Sequence, residues 1–289
     1  MRADRIPAQI KRLRIISPEL IDSLLAGNYR SVFKGPGIEF DEVREYIEGD
    51  DARLIDWNVS SRLGSPFTKT FREERELTVF ALVDVSPSIA WGRGVNSRRE
   101  VAAVVFSLLA LAAVGNNDRV GRLLFTDRVE SYVAPMKGKK HAMRQMADLF
   151  DFKPEGTGSD LAMAIRTAGE ALTRRGICVI ISDFKTSGYF RDLSLLRRKH
   201  DVVAVRIVDR SDAEFPATGL VQLVDPETGA IVSASGRSRR YRRAYAERAE
   251  LIERRWRREC SRRRIQTLDI ATDDDPAARL ISFFRRRRR

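Results

Sequence analysis

Residues 77–125 constrain this chain more than any other stretch, because they read as strand, helix, strand with every apolar position accounted for. Leu77 to Val85 is a largely apolar, β-branched run of strand length with no polar face, the mark of a strand buried on both sides. Val101 to Val114 follows, interrupted only by Ser107 and fenced by Arg98, Arg99 and Glu100 on one side and Asn116, Asn117 and Asp118 on the other. A helix that crosses a bilayer needs about 20 apolar residues. This shorter run is therefore predicted to be a helix buried in a protein core, and Arg119 to Phe125 the next strand.

The alternation continues. A turn at Asp127 leads to a strand over Val129 to Ala134, a helix over Lys140 to Phe150, a glycine-rich loop at Gly156 to Gly158 and a helix over Asp160 to Arg174 ending on Gly176. Ile177 to Ser182 reads as a buried strand, Leu193 to Lys199 as a helix and Val202 to Val208 as a strand. Residues 211–238 form a polar insertion with a hairpin turning at Pro226 to Gly229. A long helix over Arg240 to Arg263, a strand over Gln266 to Ile270 and a helix over Pro276 to Phe284 close the series. Strands alternating with helices predict an α/β fold with a doubly wound, mostly parallel sheet. Residues 1–76 have a different character, with a short helix near Pro18 to Ala26 and then an extended, loop-rich segment, which sets a boundary between 1–76 and 77–289.

Charge and cysteine content narrow the function classes. The formal net charge is +13, and Arg237 to Arg289 holds 19 arginines, no lysine and 8 acidic residues, a surplus of 11. Such a basic end raises nucleic acid, anionic lipid and acidic protein surfaces as partners. Cys178 and Cys260 supply no disulfide framework, and with only His141 and His200 beside them a zinc site or a Cys/His nucleophile pair has little material. The amino terminus intersperses Arg2, Arg5, Lys11, Arg12 and Arg14 among short apolar pieces and lacks the apolar stretch of a signal peptide. A cytoplasmic location is the expectation.

Ligands of a doubly wound sheet bind at the carboxyl ends of its strands. Three oxygen-rich loops are predicted there: Asp84-Val85-Ser86-Pro87-Ser88 after the first strand, Gly156-Thr157-Gly158-Ser159-Asp160 opening a helix, and Ser182-Asp183 closing another strand. Each alone is also an ordinary turn or helix cap. Together and in this order they resemble the metal-ion-dependent adhesion site (MIDAS) of von Willebrand factor type A domains. The upstream run from Gly37 to Tyr46 and from Gly49 to Asn58, Gly-Ile-Glu-Phe-Asp-Glu-Val-Arg-Glu-Tyr and Gly-Asp-Asp-Ala-Arg-Leu-Ile-Asp-Trp-Asn, is similar to the signature of the bacterial family known as domain of unknown function 58. In that family the segment is fused to a von Willebrand type A domain and is typically encoded beside MoxR-type AAA+ ATPases.

The resemblance implies that Asp84, Ser86, Ser88, Ser159 and Asp183 hold Mg²⁺ or Mn²⁺, with Thr157 as the competing choice for the middle loop. Ser159 stands where threonine is usual, Pro87 where glycine is common and Ile89 where methionine is common. It further implies a non-enzymatic interaction module that recognises acidic side chains and serves as adaptor or co-chaperone of a MoxR-type ATPase. Mg²⁺ takes octahedral oxygen donors and suits one or two carboxylates with hydroxyls and water. A haloacid-dehalogenase phosphatase would place a second acid two residues after Asp84, where this chain has Ser86. Gly35-Pro36-Gly37 lacks the strand-to-helix context of a phosphate cradle.

Two features leave alternatives open. On the helix over Arg240 to Arg263, Tyr241, Tyr245, Ala249, Ile252, Trp256 and Cys260 share one stripe. That stripe reads as core-facing with solvated arginines around it; the alternative is an anion-binding surface, making the chain a nucleic-acid-binding von Willebrand type A protein. The carboxylates Glu39, Asp41, Glu42, Glu45, Glu48, Asp50 and Asp51 read as solvated or paired with Arg44 and Arg53, or else as a docking surface. Trp57 reads as a packing anchor between the two parts of the chain.

Overall fold

The computed structural model describes residues 39–72, 77–90, 94, 96–224 and 230–286. The described residues fall into two compact units, one within 34–76 and the other within 77–289. The helix expected near Pro18 to Ala26 and the hairpin turn expected at Pro226 to Gly229 lie outside the described residues.

In the smaller unit, strands β1 (Glu39–Glu45) and β2 (Phe67–Arg72) pair antiparallel. Between them lies helix α1 (Trp57–Leu63), started by the Asp56 carboxylate, which accepts from the amides of Asn58 and Val59, and stopped by Gly64 in the left-handed region at φ 77°. The segment is thus more regular than the loop-rich reading allowed; its polar composition hid a helix with a well-made cap. The carboxylates do pair locally, Asp50 with Arg44 at 2.8 Å and Asp51 with Arg53 at 3.1 Å. Trp57, at the start of α1, is 71% exposed.

The larger unit is built on a six-stranded sheet. Its strands are β3 (Thr78–Asp84), β4 (Arg119–Phe125), β5 (Val129–Met136), β6 (Ile177–Ser182), β7 (Asp201–Val208) and β10 (Gln266–Ala271). The spatial order is β10-β7-β6-β3-β4-β5, parallel throughout except for the antiparallel β4–β5 pair. The expected α/β class with a mostly parallel, doubly wound sheet is therefore the observed one. The polar insertion holds an antiparallel pair, β8 (Leu220–Val224) and β9 (Ile231–Ser235).

The short helix α2 (Pro87–Ala90) follows β3, and longer helices cover both faces of the sheet. On one side, α3 (Arg98–Gly115), α4 (Lys139–Asp151) and α8 (Pro276–Arg286) share a core with the odd-numbered positions of β3; on the other, α5 (Leu161–Ala171), α6 (Phe190–Lys199) and the carboxyl-terminal half of α7 (Arg239–Arg262) share one with the even-numbered positions. Helix α3 is apolar on nearly all sides because the sheet, α4 and α8 surround it, the situation that abolishes amphipathicity in a buried helix. Ser97 and Glu100 start it with a reciprocal capping box. Among the described residues no helix is long and apolar enough to cross a membrane.

The stripe on α7 is only partly core-facing. Trp256 and Cys260 are buried, Trp256 with the Arg206 guanidinium 4.8 Å above its ring, whereas Ile252 is 58% exposed and Tyr241 sits at the surface edge against Phe215. The first half of the helix meets the segment before β8 instead of the sheet: Tyr245 Oη donates to the Ser211 carbonyl at 2.8 Å, and Phe215 packs edge-on against Tyr241 and Tyr245.

Arg122 is the largest side chain wholly inside the fold. Its guanidinium lies 3.7 Å from half-exposed Asp148, its Nε and Nη1 make no hydrogen bond, and burial lowers its pKa to about 10. A buried charge with one loose counter-ion contributes little net stability, and an apolar residue of similar volume does as well. Arg122→Met is therefore expected to match the wild type within about 1 kcal/mol in urea denaturation, while Asp148→Ala, which strands the charge, costs about 2 kcal/mol.

Candidate functional site

The first crossover from β3 leads to β4 on one side and the crossover from β6 leads to β7 on the other, so the connections diverge between neighbouring strands β3 and β6. This is the place where a doubly wound sheet leaves a crevice at its carboxyl edge. The parallel register sets Val83 against Ile181, which brings the next residues, Asp84 and Ser182, side by side. Ser182 Oγ donates to Asp84 Oδ2 at 2.7 Å.

The three predicted loops meet around Asp84. The Ser86 amide donates to Asp84 Oδ1 at 3.0 Å, turning the chain so that the Ser86 and Ser88 hydroxyls stand 3.1 Å apart. Ser159 Oγ donates to Asp84 Oδ2 at 3.3 Å, while Thr157 is exposed; of the two candidates in the middle loop, Ser159 is the one the fold brings to Asp84. Asp183 follows directly on β6 and is close enough for its carboxylate to act on that of Asp84. Phe184, next in the chain, adopts φ 55°, an uncommon conformation for a bulky residue, with its amide on Ser182 Oγ and its ring against Trp256. That turn ends β6 abruptly and leaves Asp183 at the rim.

Burial and the neighbouring Asp183 carboxylate push the Asp84 carboxyl up to about 6, against the hydrogen bonds from Ser86 and Ser182 that favour its ionised form. Asp183 Oδ2 is buried and accepts no hydrogen bond. Two neighbouring carboxylates, one oxygen of them lacking any donor, with the Ser86 and Ser159 groups on Asp84 and the Ser88 hydroxyl beside that of Ser86, are a donor set that fits a hard divalent cation. Among the described residues no group of three or more His, Cys, Asp or Glu gathers. A site of this composition would not form one, because most of its donors are serines.

Several supporting residues had no signal of their own in the sequence. Glu130 on β5 accepts from Thr126 Oγ1 at 2.8 Å and from the amides of Glu155 and Gly156, fixing the loop that carries Ser159. Gly156 is required there, since a Cβ would lie 2.0 Å from Thr126 Oγ1. Arg98, at the start of α3, donates to the Ser88 carbonyl at 3.2 Å and pairs with Asp212 at 2.6 Å. Lys185 reaches the same Asp212 at 2.7 Å, with its Nζ 3.9 Å from Asp183 Oδ2.

Residues 42–255 match the model of a family described as "Protein of unknown function DUF58". The chain belongs to the DUF58 family. Its relatives include the uncharacterized protein Rv1480 of Mycobacterium tuberculosis (strain ATCC 25618 / H37Rv), 30% identical over 99% of this chain and 90% of its own length, and the uncharacterized protein Mb1516 of Mycobacterium bovis, with the same identity and coverage. Uncharacterized protein MAV169 of Mycobacterium avium is 36% identical over 47% of this chain and 80% of its own. Among solved structures, the conserved hypothetical protein BatB from Bacteroides thetaiotaomicron aligns at a TM-score of 0.46 with 15% identity, over 73% of this chain and 98% of its own. The SpRpn10 VWA domain aligns at 0.39 with 12% identity, over 72% and 94%. The fold assignment of this DUF58 protein stands on its own strand order and register.

Proposed function

We propose that this DUF58 protein is an interaction module whose docking point is the crevice between the ends of β3 and β6. Asp84, Ser86, Ser88, Ser159 and Asp183 hold Mg²⁺ or Mn²⁺, and the partner supplies an acidic side chain. The observation that carries this reading is the buried, donor-free Asp183 oxygen beside a second buried carboxylate. Two such carboxylates without a cation are costly, and a cation removes the cost. A bound divalent cation would offer positive charge with a coordination position left for an incoming carboxylate. The chain's own residues fix the donors: Ser182 and the Ser86 amide orient Asp84, Arg98 pins the Ser88 backbone, and Glu130 holds the loop of Ser159.

A binding role fits the remaining chemistry better than catalysis. Cys178 is wholly buried and its thiol is pushed far up by burial; Cys260 is pushed up to about 12. Neither is a nucleophile at neutral pH. His200 is buried, and burial holds its pKa below the usual histidine value. The partner proposed from the family resemblance is a MoxR-type AAA+ ATPase.

Titration calorimetry with Mg²⁺ and Mn²⁺ tests the site: the wild type is expected to bind one ion and Asp84→Ala none. Equal binding by both proteins would remove Asp84 from the site. A purified MoxR-type ATPase from the same organism tests the partner. Chelator and Asp183→Ala are expected to weaken the complex alike, and a complex indifferent to both would place the interface elsewhere.

A further inference from the structure

We infer that Lys185 is a tethered counter-cation that competes with the divalent ion for Asp183 and so sets the affinity of the site. The inference rests on the metal-binding reading above and concerns a residue outside the ligand set.

The geometry is specific. Lys185 stands two residues beyond Asp183, just after the φ 55° turn at Phe184, which folds the chain back toward the crevice. Its Nζ lies 2.7 Å from Asp212 Oδ1 and 3.9 Å from Asp183 Oδ2, the buried oxygen without a hydrogen bond. Asp212 is shared: Arg98 Nη2 binds the same oxygen at 2.6 Å while Arg98 Nη1 holds the Ser88 carbonyl. Asp212 thus links the first and third loops through two cations. Lys185 and Arg98 together hold its carboxyl below the usual aspartate range, against the opposing effect of burial.

The charges then divide two ways. With no divalent ion, the Lys185 ammonium is the nearest cation to Asp183 among the described residues and offsets part of its repulsion with Asp84. With a divalent ion on Asp183, that ammonium becomes a like charge at short range. Lys185 is half-exposed, so its flexible stem can withdraw fully onto Asp212, which already holds it. Binding the ion therefore includes the cost of displacing Lys185 from Asp183. The arrangement gives the site a weaker affinity than its donors alone would, and makes occupancy depend on the metal concentration or on a partner carboxylate that adds a donor.

The test compares Mn²⁺ affinity by calorimetry, and thermal midpoints in chelator, for the full chain, Lys185→Gln and Lys185→Arg. Removing the charge is expected to tighten Mn²⁺ binding by about tenfold, the scale of one interaction between partly exposed charges. The same substitution lowers the midpoint in chelator, because Asp183 loses its nearest cation, while Lys185→Arg stays near wild type on both measures. Mn²⁺ binding by the wild type with equal or weaker binding by Lys185→Gln would overturn the role of Lys185 and leave the metal site standing. No binding by either protein would overturn both.

Discussion

In chelator at about pH 7.5, Asp84→Asn is expected to resist urea better than the wild type by up to about 3 kcal/mol, and to bind no divalent cation. The sign follows from linkage. The Asp84 carboxyl is raised from its ordinary 3.8 to about 6 by burial and by Asp183, so the folded chain holds this proton more tightly than the unfolded chain does. Its contribution favours the fold below the ordinary value and is lost as pH rises through about 6. Asparagine carries no charge to desolvate. Its oxygen keeps the hydrogen bond from the Ser86 amide, and its amide can donate to the Ser182 hydroxyl. Urea denaturation from about pH 4 to pH 7.5 should show the wild type losing stability on this limb relative to the variant, whose own profile is flatter. In millimolar Mg²⁺ the order of stability reverses, because only the wild type gains from binding. A variant less stable than the wild type in chelator would mean that the hydrogen bonds to the carboxylate outweigh its desolvation.

What could be read from the sequence follows from what is local. The β3 and β6 runs are apolar on both faces and short, so their strand character and burial needed no tertiary information. Asp84 and Asp183 were legible for the same reason: each is the first carboxylate as a buried strand meets its edge. Other features required the fold. Ser182 becomes a partner of Asp84 only through the β3–β6 register, and Glu130 supports Ser159 only because β5 turns back beside β4. The Lys185–Asp212–Arg98 cluster joins residues more than a hundred positions apart, and nothing in their local sequence distinguishes them from surface charges. The α7 stripe misled in part because helical periodicity reports a face and not what covers it. Trp256 and Cys260 meet the sheet, and Ile252 on nearly the same stripe does not.

The same helix decides how strongly the basic end binds nucleic acid. A surplus of 11 positive charges suggests many phosphate contacts, yet the glutamates of α7 are already taken up by neighbouring arginines: Glu247 by Arg243, Glu250 by Arg254, Glu253 by Arg257, and Glu259 by Arg262 and Arg263. Among the described residues, Arg239, Arg240, Arg242, Arg248, Arg255 and Arg258 of α7 enter no salt bridge, and the last three cluster at helical intervals around exposed Leu251 and Ile252. Three phosphate contacts give a salt slope near −2 to −3, so affinity for RNA is expected to fall roughly 20- to 40-fold between 50 and 200 mM salt. Base stacking adds little: Trp256 is buried, and Tyr241 and Tyr245 are engaged with Phe215. Filter binding should therefore find weak, sequence-indifferent retention at low salt that disappears at physiological salt and in the triple variant Arg248→Glu, Arg255→Glu, Arg258→Glu, with Mn²⁺ binding unchanged. Tight, sequence-selective binding that survives both changes would assign the chain to nucleic-acid recognition and displace the crevice at β3 and β6 as its functional centre.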